Sequence, residues 1–207
     1  MCMIKNMEQD MKSEKTLVLI KPDGVQRGLI GEIIQRYERT GLKLVGLKMV
    51  IATPEMAEQH YLVDPNWKAN VGKKTLESYA KKGKNPPSTD PIAIADTVLG
   101  NLKKYMSSGP VVAMMWQGVH AVGIVRKITG GTEPLTSDVG TIRGDLTIDS
   151  YEVSDLDGRS VRNLIHASGS TSDAEKEIAI WFGTECLSYR LINEAILYDV
   201  NLDGILE

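Results

Sequence analysis

The chain has 207 residues, of which 42% are hydrophobic, and its formal net charge at pH 7 is −3. This composition supports one domain with a buried core and resembles neither disorder nor an internal repeat. The slightly acidic charge argues against general affinity for nucleic acid or membrane surfaces. No apolar stretch reaches the ~18–20 residues that a membrane span needs. Cys2 and Cys186 are too few for a disulfide framework, and too few for a thiolate metal site without other ligands.

The first part of the chain predicts two strands and two helices after a polar, flexible tail over residues 1–14. The tail has no apolar signal core, so we expect a cytoplasmic protein. Residues 16–22 form a β-branched apolar run that predicts a strand. Residues 29–39 have apolar side chains at helical spacing, and 42–50 alternate as in a strand with one covered face. Thr53 followed by proline predicts the start of the next helix.

The middle of the chain contains a polar excursion, defined as residues 64–91. Its lysines and its proline and glycine residues predict a surface segment with at most one helix. The lysines are compatible with phosphate binding but also with an ordinary solvated surface. A helix is predicted from residue 91 to about 105, and a central strand over 108–116. Periodicity alone does not choose between helix and strand for residues 119–128.

The last third predicts a long loop, a second excursion, a strand and a helix. Residues 130–145 are dense in turn formers, and residues 150–160 form the second excursion. A strand is predicted over 161–168 and a helix over 172–182, with Ser172 as its cap. Strands and helices therefore interleave without a repeated glycine-rich turn, which predicts a small α+β sandwich with helices on one face of the sheet.

His166 is one of only three histidines, and it follows an apolar run and precedes the small residues Ala167 and Ser168. The next helix carries Glu175 and Glu177 on different faces, and the chain reversal can bring one of them beside the imidazole. A carboxylate that binds one ring nitrogen fixes the tautomer and leaves the other lone pair free for attack. The alternative is a neutral structural histidine bonded to backbone groups.

Cations occur at strand ends and loops that the predicted order places around this histidine. Lys21 ends the first strand, Arg143 lies in GTIRGD, and Arg126 and Thr132 flank a Gly-Gly turn. Each is compatible with a plain surface role, but together they suggest an anion site, because arginine matches the geometry of phosphate oxygens. The residues alone thus predict a phosphohistidine site or a phosphate-binding site.

Five separated segments resemble the nucleoside diphosphate kinase family. They are KPDGVQRGLIGEIIQRYERTGLKLVGLKM, HY at 60–61, YMSSGPVVAMMW, GTIRGD and RNLIHASGSTSDAEKEIAIWF. The resemblance runs from about residue 15 to 182 and covers neither excursion. It implies a ferredoxin-like βαββαβ sandwich with a four-stranded antiparallel sheet and helices packed on it, and a helix over 119–128. It also implies a single domain over 15–207 with insertions near 64–97 and 147–161.

The resemblance implies transfer of a γ-phosphoryl group from a nucleoside triphosphate to a nucleoside diphosphate by a ping-pong mechanism. By position, His166 resembles the histidine that is transiently phosphorylated, Glu177 its orienting carboxylate, and Ser168 a hydroxyl that supports the pair. The residues that resemble nucleotide ligands are Lys21, which also lies beside the histidine, Tyr61, Arg126, Thr132, Arg143 and the sugar ligand Asn163. Mg²⁺ would arrive on the nucleotide phosphates, so we expect no protein metal ligand. We expect a homo-oligomer that binds neither nucleic acid nor membrane.

The sequence departs from the family pattern at several positions. Gly169 stands where the family usually has Asp, and Glu133 and Val139 stand for the usual Asn and Pro. The usual aromatic pair that stacks on the base is absent, and the base contact stays unassigned. The candidates for it are Val98, Leu99, Trp67, Leu76 and Tyr79. Each excursion either decorates the surface or closes over the nucleotide, and apolar residues after 193 could pack on a neighbouring subunit.

Two other functions are compatible with parts of this pattern. One is a catalytically silent nucleotide-binding module on the same fold, which would need no nucleophile. The other is an unrelated anion-binding domain with a ferredoxin-like sheet.

Overall fold

The computed structural model of the chain describes residues 14–203. The predicted tail, residues 1–14, therefore lies outside the described residues except for Glu14. The Glu14 carbonyl accepts a hydrogen bond from the Gly118 amide, and its carboxylate accepts one from the Val122 amide at 2.7 Å. Glu14 thus belongs to the ordered domain.

Four strands form one antiparallel sheet in the order β2-β3-β1-β4. The strands are β1 (Lys15–Ile20), β2 (Lys43–Val50), β3 (Val111–Gln117) and β4 (Ile165–Ala167). This strand order, with helices in the connections, confirms the expected ferredoxin-like α+β fold.

The helices before β3 are α1 (Pro22–Gln26), α2 (Ile30–Glu38), α3 (Pro54–Tyr61), α4 (Trp67–Lys81) and α5 (Pro91–Met106). After β3 follow α6 (Ala121–Thr129), α7 (Ile142–Leu146), α8 (Tyr151–Leu156), α9 (Thr171–Phe182) and α10 (Glu194–Leu197). The ambiguous segment 119–128 is thus helical, as the resemblance implied. Across residues 14–203, none of the helices combines the length and the apolar content that a bilayer crossing requires.

Helices cover both faces of the sheet, so the expectation of helices on one face was wrong. Val18 and Ile20 of β1 pack with α2 and α6, whereas Leu17 and Leu19 pack with α3 and α9. Because successive strand residues point to opposite faces, a strand with both faces covered is apolar throughout. His166 lies opposite Leu19 in the sheet and therefore on the α3–α9 face.

The strand that carries His166 is shorter than the predicted 161–168. Leu164 has a positive φ of 64°, and the Ile165 amide donates to the Asn163 carbonyl at 2.7 Å. This three-residue γ-turn prevents β4 from starting before Ile165, because the central residue of the turn cannot lie in an extended strand. The turn separates Asn163 from β4 and directs its side chain towards the loops beside the sheet.

The helix after β4 begins one residue earlier than predicted, and its cap lies two residues earlier. Its cap is Ser170, whose hydroxyl accepts a hydrogen bond from the Asp173 amide at 3.1 Å, and not Ser172. Both serines are followed three residues later by an acidic residue, so the local pattern fits either position. The cap of α3 is Thr53, as predicted.

The segment 130–145, predicted as a loop, contains two short helices. A 3₁₀-helix spans Pro134–Thr136, and α7 is capped by the Thr141 hydroxyl, which accepts from the Gly144 amide at 3.1 Å. Arg143 lies in α7 and is buried. The density of turn formers predicted a loop because short capped helices have the same composition as irregular loops.

The segment after α9 packs on the edge strand β2 of its own chain. The Leu187 amide donates to the Val45 carbonyl, and the Tyr189 hydroxyl donates to the Leu44 carbonyl at 2.8 Å. Lys43 forms an ion pair with Glu194 of α10 at 2.7 Å. The first half of β2 is thus covered from within the chain.

Candidate functional site

His166, Glu177 and Ser168 form one hydrogen-bonded network between the edge strand β4 and α9. His166 Nε2 lies 3.0 Å from Glu177 Oε1, and the Ser168 hydroxyl donates to Glu177 Oε2 at 2.6 Å. The Leu17 amide of β1 donates to Ser168 Oγ at 3.1 Å. A chain of hydrogen bonds therefore runs from the Leu17 amide through Ser168 and Glu177 to the imidazole of His166.

This network selects one tautomer of His166. Each oxygen of the Glu177 carboxylate accepts one of these two bonds, so the proton of the neutral imidazole lies on Nε2. The lone pair of Nδ1 is then available for attack on an electrophile. Glu177 is buried and Glu175 is exposed, which answers which acid of α9 serves the histidine.

A second network links Lys21, Asn163 and Thr132. The Lys21 ammonium donates to Asn163 Oδ1 at 2.7 Å, and Asn163 Nδ2 donates to the Thr132 carbonyl at 2.8 Å. Burial and the nearby Arg143 lower the pKa of Lys21 to about 7, partly offset by Asp23. A buried lysine with so low a pKa gains its charge fully only when an anion approaches.

Arg143 anchors the backbone around this network. Its guanidinium donates to the carbonyls of Asn163 and Ile165 and to those of Gly130 and Gly131, at 2.6–3.2 Å. These bonds engage four of the five N–H groups of an arginine, which leaves one for a ligand as far as the described residues go. Burial lowers the pKa of Arg143. The side chain predicted as a phosphate ligand is thus first of all a fixed scaffold for the loops.

The remaining predicted nucleotide ligands lie around these two networks. Arg126 is exposed on the last turn of α6, and its charge contributes to the lowered pKa of Arg143. Thr132 is exposed in the loop after α6. The Tyr61 hydroxyl at the end of α3 is buried and has no hydrogen-bond partner within residues 14–203. Burial raises the pKa of Tyr61, which keeps its hydroxyl protonated and able to donate.

The candidates for the base contact differ in accessibility. Leu99 is buried in the core, so it cannot cover a base, whereas Trp67, Leu76, Tyr79 and Val98 are half-buried. The Trp67 ring lies 6.0 Å from the Tyr61 ring, which places it beside a predicted nucleotide ligand.

Asp23 is a positioning residue that the sequence analysis did not single out. Its carboxylate accepts hydrogen bonds from the Tyr105 hydroxyl at 2.6 Å and from the Leu164 amide at 3.1 Å. The Arg162 guanidinium lies 4.6 Å from the centre of the Tyr105 ring. These contacts hold the γ-turn at Leu164 against α1, which follows Lys21. The available signal was the PDG sequence directly after Lys21.

His60 is a second residue that the sequence analysis quoted without a role. Its ring is buried and lies 4.3 Å from the His166 ring, edge to face. Nitrogen atoms of the two histidines and an oxygen of Glu177 lie within 4.8 Å of one another. Two imidazoles and one carboxylate do not suit Mg²⁺, which prefers oxygen ligands and retains its waters. The trio is better described as a hydrogen-bonded nucleophile and its neighbour.

The two excursions contact each other. Lys82, just after α4, lies 3.8 Å from Asp155 of α8, and Lys84 lies 3.5 Å from Glu152. The Glu133 carboxylate accepts a hydrogen bond from the Tyr151 amide at 2.8 Å, at the first turn of α8. Glu133, one of the departures from the family pattern, thus stabilises the start of the second excursion.

A ferredoxin-like sheet with an oriented imidazole and the buried cations Lys21 and Arg143 is typical of an α+β enzyme of the phosphotransferase class. Comparison with known proteins then identifies the family. A family model described as "Nucleoside diphosphate kinase" matches residues 14–76 and 95–187. The unmatched residues between these ranges lie in the first excursion and the start of α5.

Individual relatives agree with this match. A nucleoside diphosphate kinase from Pyrobaculum aerophilum is 48% identical over 179 residues, which cover 84% of this chain and 98% of that protein. A nucleoside diphosphate kinase from Borreliella burgdorferi is 38% identical, with 91% of this chain and 99% of that protein covered.

Solved structures agree as well. The crystal structure of an NDP kinase from Pyrobaculum aerophilum superposes with a TM-score of 0.82 at 46% identity, covering 85% of this chain and all of that one. A transition-state mimic of the Borrelia burgdorferi enzyme with bound vanadate and ADP gives 0.72 at 37% identity, covering 90% and 97%. The chain belongs to the nucleoside diphosphate kinase family.

Proposed function

We propose that the chain transfers the γ-phosphoryl group of a nucleoside triphosphate to a nucleoside diphosphate through a phosphohistidine at His166. Membership of the nucleoside diphosphate kinase family supports the activity. The observation that carries the residue assignment is the bond between His166 Nε2 and Glu177, which leaves Nδ1 as the nucleophile. One site then serves donor and acceptor in turn, which gives ping-pong kinetics.

The cations around His166 support the same reaction. A loose phosphoryl-transfer transition state carries charge on its equatorial oxygens, and fixed positive groups stabilise that charge. Lys21 is buried next to Asn163, and Arg143 is also buried, whereas Arg126 and Thr132 are exposed. We assign Lys21 to the phosphoryl group, Tyr61, Arg126, Thr132 and Arg143 to the phosphates, and Asn163 to the sugar. Trp67 is our candidate for the base.

Mg²⁺ belongs to this proposal as an ion carried by the nucleotide phosphates. The acidic groups next to the nucleophile are occupied, because Glu177 accepts bonds from His166 and Ser168. The ion would supply charge neutralisation to the phosphates, in keeping with its habit of binding few protein groups.

The proposal is tested by incubating the protein with Mg²⁺ and ATP labelled at the γ-phosphate. We expect acid-labile label on the protein, which then moves to added GDP. The variant His166→Ala should bind nucleotide without becoming labelled. If wild type binds ATP and never becomes labelled, the chain is a silent nucleotide-binding module; labelling that persists in the variant would assign the nucleophile elsewhere.

We further propose a cytoplasmic homo-oligomer. The second half of the edge strand β2 and the residue that follows it expose Leu47, Met49 and Ile51, with exposures of 53%, 57% and 74%. An exposed apolar strand edge favours pairing with another chain. Sedimentation velocity should give a mass above that of one chain, and Met49→Lys should lower it; a monomer at micromolar concentration would refute the assembly.

A further inference from the structure

His60 has two ring nitrogens in different environments, and this difference fixes its tautomer. The Trp181 indole N–H lies 3.3 Å from His60 Nδ1. An indole nitrogen is only a donor, so Nδ1 must present its lone pair. The proton of the neutral ring therefore lies on Nε2. Burial, followed by the charges of His166 and Lys21, holds the pKa of His60 well below its usual value, so the ring stays neutral.

The Nε2–H group of His60 has no acceptor among residues 14–203, although it is fully buried. A buried donor without a partner destabilises the folded protein. The hydroxyl of the next residue, Tyr61, is in the same condition. Two adjacent side chains at the end of α3 thus hold protonated donors without acceptors, one of them against the His166 ring. Both groups are suited to donate to an oxygen that accepts hydrogen bonds.

A metal ion would not satisfy these donors. A ligating Nε2 would have to give up its proton, and the proton would then lie on Nδ1 and oppose the indole N–H of Trp181. The histidine is therefore arranged to donate at Nε2 and not to ligate. An anionic oxygen is the partner that fits this tautomer.

We propose that His60 is a further catalytic residue, whose Nε2–H donates a hydrogen bond to an equatorial oxygen of the phosphoryl group in transit to and from His166. This assignment rests on the proposed function. In the first half-reaction, the lone pair of His166 Nδ1 forms the N–P bond. The bond between the γ-phosphorus and the bridging oxygen breaks, and its electron pair leaves on the nucleoside diphosphate. His60 keeps its proton throughout.

The contribution of such a donor is greatest in the transition state. In the transition state, negative charge lies on the equatorial oxygens of the phosphoryl group. A fixed neutral dipole stabilises this charge without having to reorganise. Loss of one comparable donor in other enzymes lowers turnover by about 10²–10³-fold. His60 should therefore affect the rate of transfer far more than the affinity for nucleotide.

Matched variants separate the donor from the ring. His60→Phe keeps an aromatic ring against His166 but removes both nitrogens, whereas His60→Gln keeps an acceptor for Trp181 and a donor for the phosphoryl group. We expect rapid-quench measurement of His166 phosphorylation by Mg·ATP to give a rate about 10²-fold lower for His60→Phe. The dissociation constant of ADP should change less than about threefold, and His60→Gln should recover at least tenfold of the lost rate.

A second variant keeps the test informative if His60→Phe does not fold. Trp181→Phe leaves His60 in place but removes the bond that fixes its tautomer, so a several-fold lower rate with unchanged ADP affinity is expected. The role of His60 would be overturned if His60→Phe and His60→Gln lost the same fraction of the rate. It would also be overturned if both Trp181→Phe and His60→Phe reacted at the wild-type rate. If wild-type protein itself is not labelled, the proposed function fails instead.

Discussion

The nucleophile network and the contact between the two excursions are held by different kinds of interaction. His166, Ser168 and Glu177 are joined by short bonds to one another and to β1, and Ser168 and Glu177 are buried. The excursions are joined by two ion pairs whose side chains are 34–65% exposed. Buried charge-assisted bonds are strong and geometrically strict, whereas exposed ion pairs contribute ~0–1 kcal/mol each. The geometry is therefore most strictly fixed at the imidazole, whereas breaking the ion pairs between the excursions costs little free energy.

The largest effect should come from changing Glu177 to glutamine. The amide has one acceptor oxygen in place of two and cannot accept hydrogen bonds from both His166 and Ser168, so it no longer fixes the tautomer of the imidazole. Replacing the carboxylate that orients a catalytic histidine by an amide lowers turnover by about 10⁴-fold in serine proteases, and we expect at least about 10²-fold here. Single-turnover phosphorylation of the protein by Mg·ATP measures this loss.

Ser168→Ala is the control for that change. It leaves the carboxylate on the imidazole and removes only its support, so a smaller loss of rate, about tenfold, is expected. The buried Leu17 amide would lose its acceptor, which should lower the free energy of unfolding by about 1–3 kcal/mol. A Glu177→Gln enzyme within fivefold of wild type would show that the strict geometry of this network is not needed.

An intermediate effect should appear in the pH dependence of kcat/KM. The charged form of Lys21 attracts phosphate, and burial with Arg143 lowers the pKa of Lys21 to about 7 in the free protein. As pH rises through about 7, this charge is lost, so kcat/KM should fall; it should be constant just below that range, where Lys21 is protonated. The groups that act on Lys21 are Arg143 and Asp23, with the Tyr105 ring 5.2 Å away.

Lys21→Arg tests that assignment, because arginine stays charged across the range. Its kcat/KM is expected to be lower than that of wild type but flat between pH 6 and about pH 9. A decline that survives in Lys21→Arg belongs to another group and would remove Lys21 from the explanation.

The smallest effect is expected between the excursions. Reversing Lys82 and Lys84 to glutamate should lower the free energy of unfolding by less than about 1 kcal/mol in total. Urea denaturation is measured for this variant, for the double variant Glu152→Lys with Asp155→Lys, and for the variant that carries all four changes. Together the three unfolding free energies give the coupling energy between the two excursions. A coupling above about 2 kcal/mol would mean that the excursions form a rigid unit and would remove the contrast with the nucleophile network.

Much of this fold is readable from the sequence because its signals are local. The cap at Thr53 and the apolar β3 follow from residue type and spacing. The cap is found where it was predicted, and β3 begins three residues later than predicted. Ser170 and Ser172 show the limit of such signals, because each is followed by an acidic residue at the same spacing. The late start of β4 depends on the positive φ of Leu164, and leucine gives no warning of that conformation.

The site follows the same division. The pairing of a histidine with an acid of the next helix is local and was predicted from the residues, although the choice of Glu177 needed the family resemblance. The four carbonyls bound by Arg143 and the ring of His60 against His166 are contacts between distant segments. Only the folded sheet brings these groups together, so no spacing along the chain predicts their contacts.

The bond from Glu133 to the Tyr151 amide has a consequence for anyone who shortens this protein. Removing residues 149–160 to obtain a minimal enzyme would leave the Glu133 carboxylate without the helix start that it serves. A negative charge would then remain unbalanced beside Thr132, which we propose as a phosphate ligand, and would repel incoming phosphates. The trimmed protein should therefore be made with Glu133→Asn, so that the loop and its missing segment are changed together.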